Sequence, residues 1–210
     1  MKCKLCKSDS FYNLKNNYIK CKKCHKKYSL RKLNQEKRIN RAFCDNKNAN
    51  EASKDLNLNY RTVKDRYDYL RFYIAKFLED EYNKSIKDYS NYEEYYYFNT
   101  KQKTKKVKSL YNAINIMGFY SNKKVYTLLM PKLPKRALDE DDGFKEYLNW
   151  YKIHSLNSYK TDLKRFWLFL EEQLKKYKGI NEENFFLYLK ECEFRFNYEY
   201  EKQLEILELC

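Results

Sequence analysis

Two pairs of cysteines near the start of the chain limit its folding more than any other feature. Cys3 and Cys6 form one Cys-x-x-Cys pair, and Cys21 and Cys24 form the second. Four soft thiolates in two short-range pairs are the ligand set of a tetrahedral Zn²⁺ site. A segment this short and basic cannot bury enough apolar surface to fold unaided, whereas zinc supplies about 10–16 kcal/mol in comparable peptides at neutral pH. We therefore predict a structural zinc site at these cysteines.

The residues between the two pairs have the pattern of a β-hairpin. A polar turn at residues 15–17 separates two short segments that are rich in aromatic and apolar residues. The flanking residues are Phe11, Tyr12, Tyr18 and Ile19. This pattern predicts a zinc ribbon over residues 1–30. Two disulfides or chance clustering are the alternatives, and His25 is an alternative ligand that four cysteines make unnecessary.

Positive charge is concentrated in two parts of the chain. Residues 1–50 contain 15 Lys/Arg and 3 Asp/Glu, and residues 89–136 contain 10 Lys/Arg and 2 Asp/Glu. Residues 137–210, by contrast, contain 11 Lys/Arg and 16 Asp/Glu. The whole chain has a formal net charge of +15. This distribution favours a polyanionic partner, and nucleic acid in particular. AT-rich codon usage can account for part of the lysine content, so an interaction module without nucleic-acid specificity is an alternative.

No feature of the sequence indicates a membrane protein. No apolar run approaches the ~18 residues of a membrane span, and the N-terminus lacks the apolar core of a signal peptide. The basic segments also lack a strongly apolar helical face, which makes a membrane surface a poor partner. We therefore expect a reducing cytoplasmic location, with Cys44, Cys192 and Cys210 as thiols.

Residues 49–82 have the pattern of two helices joined by a tight turn. We predict helices over residues 49–56 and about 60–82, with Asn57, Leu58 and Asn59 between them. Asn57 occupies the position that needs a left-handed backbone, a conformation that Asn tolerates. The expected core residues of this helix-turn-helix are Ala52, Leu56, Leu58 and Val63.

The N-terminal end of the second helix carries basic and polar side chains that suit DNA. In DNA-binding helix-turn-helix motifs this end enters the major groove, where side chains contact base edges and phosphates. The predicted DNA-binding residues are Tyr60, Arg61, Thr62, Lys64 and Arg66. The alternative is an ordinary helical hairpin with a solvated charged face.

The second half of the chain mixes strand and helix patterns. We predict strands over residues 92–98 and 124–130, while residues 107–119 are ambiguous between strand and helix. Helices are predicted over residues 162–176 and 184–197. The first of them has an apolar face formed by Leu163, Phe166, Trp167, Leu170 and Leu174. This mixture predicts the α+β class.

The order of these elements resembles insertion-sequence transposases of the zinc-ribbon type. The most specific matches are the cysteine pairs followed by Tyr28-Ser29-Leu30, the run Asn59-Tyr60-Arg61-Thr62-Val63, Phe166-Trp167, and residues 177–197, which end in Glu193-Phe194-Arg195-Phe196-Asn197. The resemblance extends over nearly the whole chain. It implies a zinc ribbon at residues 1–30, a helix-turn-helix region at 31–88, and a compact ribonuclease-H-like α/β core with C-terminal helices at 89–210.

The resemblance also implies a function. In that family the ribbon and the helix-turn-helix bind double-stranded DNA at terminal inverted repeats, and the core cuts and joins strands with two metal ions, Mg²⁺ or Mn²⁺. We therefore expect a DNA transposase, nucleoid-associated in a bacterial cytoplasm, that assembles as a homo-oligomer on DNA. The alternative is a non-catalytic zinc-ribbon and helix-turn-helix DNA-binding protein, either a decayed transposase or a regulator.

The same resemblance places the catalytic carboxylates at Glu93, Glu94 and Asp142. Glu93 stands where the family has Asp, and its longer side chain would displace a bound metal. Asp142 precedes Gly143, as the family's second ligand does, with Asp141 as a neighbouring candidate. The third ligand is left open: Thr161 and Lys164 stand at its expected positions, and Asn157, Glu171 and Glu172 are the substitutes.

Overall fold

The computed structural model divides the chain into two compact units. One comprises Met1–Asp80 and Tyr198–Cys210, and the other comprises Glu81–Asn197. The structure describes residues 2–84, 91–103, 112–132, 162–177, 180–208 and 210. The last residues of the chain, assigned from the sequence to the core, belong in the structure to the first unit.

The first unit begins with a small antiparallel sheet. Its strands are β1 (Phe11–Leu14), β2 (Tyr18–Cys21) and β3 (Lys27–Ser29), in the order β1-β2-β3. Asn16 and Asn17 have φ angles of 61° and 60° in the turn between β1 and β2. Two successive residues with positive φ match the right-handed twist of a tight hairpin, and Asn accepts this conformation readily. The predicted hairpin is confirmed.

Three helices follow the sheet: α1 (Leu30–Cys44), α2 (Ala49–Leu56) and α3 (Tyr60–Lys84). The Ser29 side chain caps α1 by accepting a hydrogen bond from the Lys32 amide, and Asn48 and Glu51 form a reciprocal capping box at the start of α2. Apolar residues of all three helices form a buried core. It includes Ile39, Phe43, Ala52, Val63, Tyr67, Leu70 and Ile74.

The second unit contains another antiparallel sheet, against which two helices pack. The strands β4 (Tyr92–Tyr97), β5 (Ile114–Ser121) and β6 (Lys124–Leu129) are arranged in the order β4-β5-β6. A short helix, α4 (Thr100–Lys103), lies between β4 and β5 in sequence, and the longer helices are α5 (Asp162–Lys175) and α6 (Glu182–Asn197). The ambiguous segment thus contains a strand.

Helix α5 lies on the sheet through the apolar face predicted for it. Its five predicted apolar residues are all buried: Leu163, Phe166, Trp167, Leu170 and Leu174. The Trp167 ring stacks on Tyr95 of β4, with centroids 4.6 Å apart. Gly118 of β5 makes this contact possible, because a Cβ atom there would lie 2.5 Å from the indole Cζ2.

Helix α6 covers the outer edge of β6 with polar side chains. Asn197 accepts a hydrogen bond from the Val125 amide at 2.8 Å and donates one to the Val125 carbonyl at 2.6 Å. Glu193 accepts from the Thr127 amide at 3.0 Å, and Lys190 donates to the Thr127 carbonyl at 2.8 Å. These side chains take the place that a neighbouring strand would fill.

The last helix, α7 (Tyr200–Glu208), completes the first unit by packing beside α1. The Asn40 amide donates to the Leu207 carbonyl at 2.8 Å, and the Tyr200 hydroxyl donates to Asp45 at 3.0 Å. Leu207 is fully buried. The two hydrogen bonds therefore tie α7 to the middle of α1 and to its C-terminal cap.

The described residues confirm the predicted α+β class. None of the helices in the described ranges has both the length and the apolar character that a membrane crossing requires. The ribonuclease-H-like arrangement remains a prediction, since residues 133–161, which contain Asp142, lie outside the described part of the chain.

Candidate functional sites

The two cysteine pairs are held in matching turns. The Lys7 amide donates to the Cys3 carbonyl at 2.9 Å, and the His25 amide donates to the Cys21 carbonyl at 3.1 Å. Lys7 and His25 both have a φ angle of 60°, so each turn closes with a left-handed residue directly after its second cysteine. The exposed His25 is thus part of the turn rather than of the sulfur cluster.

The four cysteine sulfurs converge on one point. All four Sγ atoms lie within 4.8 Å of one another, with Cys3 and Cys24 at 3.5 Å and Cys6 and Cys21 also at 3.5 Å. These cysteines form no disulfides. Zinc–sulfur bonds of about 2.3 Å in a tetrahedron would place the sulfurs about 3.8 Å apart. The four cysteines therefore fit a metal ion such as zinc, and iron is the other metal that favours four thiolates.

The Tyr28 hydroxyl lies 3.2 Å from the Cys3 sulfur. Burial raises the pKa of the Cys3 thiol, but hydrogen bonds from Tyr28 and from the backbone of Cys6 and Leu5 outweigh it and lower the pKa to about 6. Burial and the Cys3 sulfur raise the pKa of Tyr28 to about 12. Tyr28 therefore stays protonated and donates its hydrogen bond to a thiolate, as outer residues of metal sites do.

Hydrogen bonds within the cluster act in opposite directions on the pKa values of different cysteines. A backbone hydrogen bond from Lys26 lowers the pKa of Cys24, but burial and hydrogen bonds with the other three sulfurs raise it to about 12. A metal ion binds thiolates, so its entry must displace the protons that remain on the cluster.

The turn between α2 and α3 has the conformation predicted from the sequence. Asn57 has φ 52° and ψ 50°, and the Leu58 amide donates to the Ser53 carbonyl at 2.9 Å. The Asn59 side chain then accepts a hydrogen bond from the Arg61 amide at 2.8 Å and so caps the start of α3. Two asparagines with different roles therefore end one helix and begin the next.

Four of the five predicted DNA-binding residues are exposed at the start of α3. They are Tyr60, Arg61, Thr62 and Lys64. Lys64 pairs with Asp68 one turn further along, at 2.6 Å. Arg66 differs, because its side chain is only partly exposed and donates to the Asn40 side chain at 3.0 Å and to the Cys210 sulfur at 3.3 Å.

The predicted catalytic carboxylates do not converge within the described residues. Glu93 and Glu94 are neighbours on β4, and successive residues of a strand point to opposite faces of the sheet. Glu93 accepts a hydrogen bond from the Trp167 indole at 3.1 Å, whereas Glu94 accepts one from the Tyr96 hydroxyl at 2.6 Å. Asp142 lies outside the described residues. Across the ranges described, only the four cysteines form a group that could hold a metal.

Some of the residues considered for the third metal ligand lie on α5, and the others lie outside the described residues. Glu171 on α5 accepts a hydrogen bond from the Tyr95 hydroxyl at 2.5 Å and pairs with Lys103. It therefore stabilises the contact between α5 and β4 instead of joining a carboxylate cluster. Glu172 and Lys164 also lie on α5. Asp141, Gly143, Asn157 and Thr161 lie outside the described residues.

Comparison with known proteins identifies a relative of this chain. No protein-family model matches it, and no solved structure matches it. An uncharacterized transposase-like protein of Haemophilus influenzae is 43% identical over 111 residues, a match that covers 40% of this chain and 90% of the relative. The chain belongs to the same family as this transposase-like protein. The relationship supports the transposase part of the predicted resemblance at this coarse level.

The sequence did not reveal the structural roles of three residues. Tyr28 is part of the matched Tyr28-Ser29-Leu30 run, which was the signal available for its hydrogen bond to Cys3. Asn59 precedes α3 as an N-cap residue should. Gly118 is one of only 3 glycines in the chain, and this scarcity was the sole sign of the close contact with Trp167.

Proposed function

We propose that this chain binds double-stranded DNA at the ends of a mobile element, through the cysteine cluster and the α2–α3 pair of helices. The observation that carries the proposal is the exposed start of α3, where Tyr60, Arg61 and Thr62 follow a left-handed turn and an Asn59 cap. A helix end with this geometry fits the major groove, where such side chains hydrogen-bond to base edges.

Zinc would have a structural role in this account. Cys3, Cys6, Cys21 and Cys24 would hold the ion, and the ion would supply the folding energy of the β1–β2 hairpin. The hairpin is joined to α1 in two ways. Ser29 ends β3 and caps α1, and the Leu30 amide donates to the Asn17 carbonyl at 2.8 Å. Removal of the ion would therefore disturb the beginning of α1.

The charge distribution supports a DNA partner. Residues 1–50, which include the cysteine cluster and α1, contain 15 Lys/Arg against 3 Asp/Glu. Phosphate contacts by lysine and arginine provide most of the sequence-independent affinity for DNA and make it depend on salt. The exposed start of α3 would then add sequence preference to this general attraction.

The experiment is a binding titration with two duplexes of equal length. One carries an inverted repeat identified in the DNA beside the gene, as the proposal requires, and the other carries an unrelated sequence. We expect tighter binding to the repeat, and we expect Arg61→Ala to reduce the preference by about 1–3 kcal/mol if it contacts a base. Lys202→Ala serves as the control, because Lys202 pairs with Glu205 on α7. Equal binding to both duplexes by the wild type would contradict the proposal.

Strand transfer is the second candidate function, and the transposase-like name of the relative favours it. The carboxylates Glu93, Glu94 and Asp142 would hold Mg²⁺ or Mn²⁺ in that case. Because Glu93 and Glu94 point to opposite faces of β4, at most one of them belongs to a single site in this arrangement.

Catalysis is tested by nicking and strand transfer on a plasmid that carries the element's ends, in Mg²⁺ or Mn²⁺. The variants are Glu93→Gln, Glu94→Gln and Asp142→Asn, with Glu205→Gln on α7 as a matched control. Loss of activity in Asp142→Asn and in only one of the Glu variants would support a compact transposase. Intact DNA binding without any strand cleavage by the wild type would identify a non-catalytic DNA-binding protein.

A further inference from the structure

A groove of about 550 Å³ lies between α1 and the first turns of α3. Arg31 and Lys32 line it from the first turn of α1, and Arg66 and Tyr69 line it from α3. Ile39, which is 2% exposed, lies at the base of the groove. The groove therefore combines cationic side chains with an exposed aromatic ring within the first unit.

The cations of the groove are available to a ligand. Arg31 and Lys32 are exposed, and neither forms an ion pair within the described residues. Two acidic residues, Glu36 and Asp65, also line the groove. Glu36 is already paired with Lys4 at 2.7 Å, so Asp65 is the acidic residue that offsets the positive charge of the lining. The three cations thus give the groove a positive balance that suits an anionic ligand.

Arg66 is held in place before any ligand arrives. Its Nε donates to Asn40 at 3.0 Å and one Nη2 hydrogen to the Cys210 sulfur at 3.3 Å, while its guanidinium lies 5.0 Å from the Tyr69 ring centroid. Asn40 is in turn fixed by its hydrogen bond to the Leu207 carbonyl. The Nη1 hydrogens make no hydrogen bond within the described part of the chain. A guanidinium fixed in this way loses little entropy when it binds a phosphate.

We propose that this groove binds the sugar–phosphate backbone of the DNA whose bases contact the start of α3. Arg66, Arg31 and Lys32 contact phosphate oxygens, while the exposed Tyr69 ring packs against deoxyribose. The inference rests on the proposed function, and it gives Arg66 a role in positioning the duplex rather than in reading bases. Thr62 supports it, since Thr62 both lines the groove and belongs to the exposed start of α3.

The lining chemistry favours a DNA backbone over an acidic peptide. Phosphate contacts in protein–DNA complexes come from Arg and Lys, from Ser, Thr, Gln and Tyr side chains, and from helix N-termini. The groove contains each of these groups, including Ser29, which caps the first turn of α1. Because Thr62 lines the groove and is also exposed at the start of α3, a ligand in the groove would lie beside the surface that is expected to contact the bases.

The test compares the salt dependence of DNA affinity among four proteins. These are the wild type, the double variant Arg31→Ala/Lys32→Ala, Arg66→Lys, and the control Lys202→Ala. We expect the double variant to weaken binding to the element end and to the unrelated duplex by the same factor. It should also reduce the slope of log K against log salt by about 0.9 for each phosphate that the protein no longer neutralises. Lys202→Ala should match the wild type.

The Arg66→Lys variant tests the geometry of the guanidinium. It keeps the charge but removes the planar group that Asn40 and Cys210 hold, so we expect weaker binding with a nearly unchanged salt slope. Arg31 and Lys32 are exposed and form no ion pair with any described residue, so the double variant keeps the fold even where Arg66→Lys destabilises it.

The outcomes separate the inference from the function on which it rests. A wild type that binds no duplex would overturn both. A wild type that prefers the element end and loses this preference in Arg61→Ala, while the double variant keeps the wild-type affinity and slope, would overturn the groove alone. The groove proposal would also be overturned if the double variant lost binding of an acidic peptide while its DNA affinity equalled that of the wild type.

Discussion

Trp167 can stack on the sheet because the residue beneath it has no side chain. A Cβ atom at Gly118 would lie 2.5 Å from the indole, closer than side-chain atoms approach in folded proteins. The same indole stacks on Tyr95 and donates a hydrogen bond to Glu93. One glycine therefore determines how α5 meets β4 and β5. The indole that it accommodates also contacts Glu93, which the family resemblance implies as a catalytic candidate.

The variant Gly118→Ala should destabilise the protein by about 1–3 kcal/mol, because the new methyl group forces Trp167 to move. Urea denaturation measures the destabilisation. The double variant Gly118→Ala/Trp167→Leu should be destabilised by less than the sum of the two single changes, since the smaller side chain removes the clash. Ser121→Ala on the same strand is the control. Additive effects in the double variant would contradict the proposed packing of Trp167 on Gly118.

The hydrogen bond from Tyr28 to Cys3 gives a second prediction for a single residue. Tyr28→Phe removes the donor to the sulfur and should lower zinc affinity by about 10–100-fold, the usual effect of removing an outer hydrogen bond at a metal site. Competition with a chromophoric chelator measures the affinity. Tyr12→Phe is the matched control, because the Tyr12 side chain is 53% exposed on the same hairpin. Equal affinities for the two variants would contradict this role of Tyr28.

At the scale of the elements, α6 acts as a substitute for a strand. Residues 190, 193 and 197 lie on one face of the helix at spacings of three and four, which brings them beside the edge of β6. Lys190 and Glu193 also pair with each other at 2.8 Å while almost fully buried. The helix thereby satisfies backbone groups that would otherwise be open to another chain.

The variant Asn197→Ala leaves the amide and the carbonyl of Val125 without their partner. We expect a decrease of about 1–3 kcal/mol in the free energy of unfolding and more aggregation at high concentration. Asn184→Ala on the same helix is the matched control, because Asn184 is exposed, and its change should stay within about 0.5 kcal/mol. Equal stabilities of the two variants would show that α6 does not cap the strand edge.

At the scale of the whole molecule, the first unit combines residues from both ends of the chain. Helix α7 lies beside α1, and it helps to hold Asn40 and Arg66, which line or support the groove. A DNA-binding role for the first unit would thus depend on residues far away in the sequence.

The variant Leu207→Ala tests this dependence. Leu207 is fully buried, and its truncation should destabilise the first unit by about 2–5 kcal/mol. Hydrogen exchange should then become faster in α1 while β5 in the second unit keeps its protection. Glu205→Ala, an exposed change on the same helix, should leave both regions unchanged. Faster exchange in β5 with α1 unaffected would contradict the assignment of α7 to the first unit.

Features that depend on local chemistry could be predicted from the sequence. The cysteine pairs, the left-handed Asn57 and the apolar face of α5 are each set by neighbours within a few residues. The partners of Arg66 could not be predicted, because Cys210 is distant in sequence and only the tertiary fold brings it close. Glu93 and Glu94 were predicted together from the resemblance, although the alternation of a strand separates their side chains.

In the proposed function, a metal-stabilised first unit binds the ends of the element. The most direct measurement is the fluorescence anisotropy of a labelled element-end duplex with the full chain loaded with Zn²⁺, stripped by a chelator, and supplied again with Zn²⁺. The account predicts tight binding in the loaded protein, much weaker binding after stripping, and recovery when Zn²⁺ returns. Equal binding in all three states, or no binding to the element end in the loaded state, would contradict it.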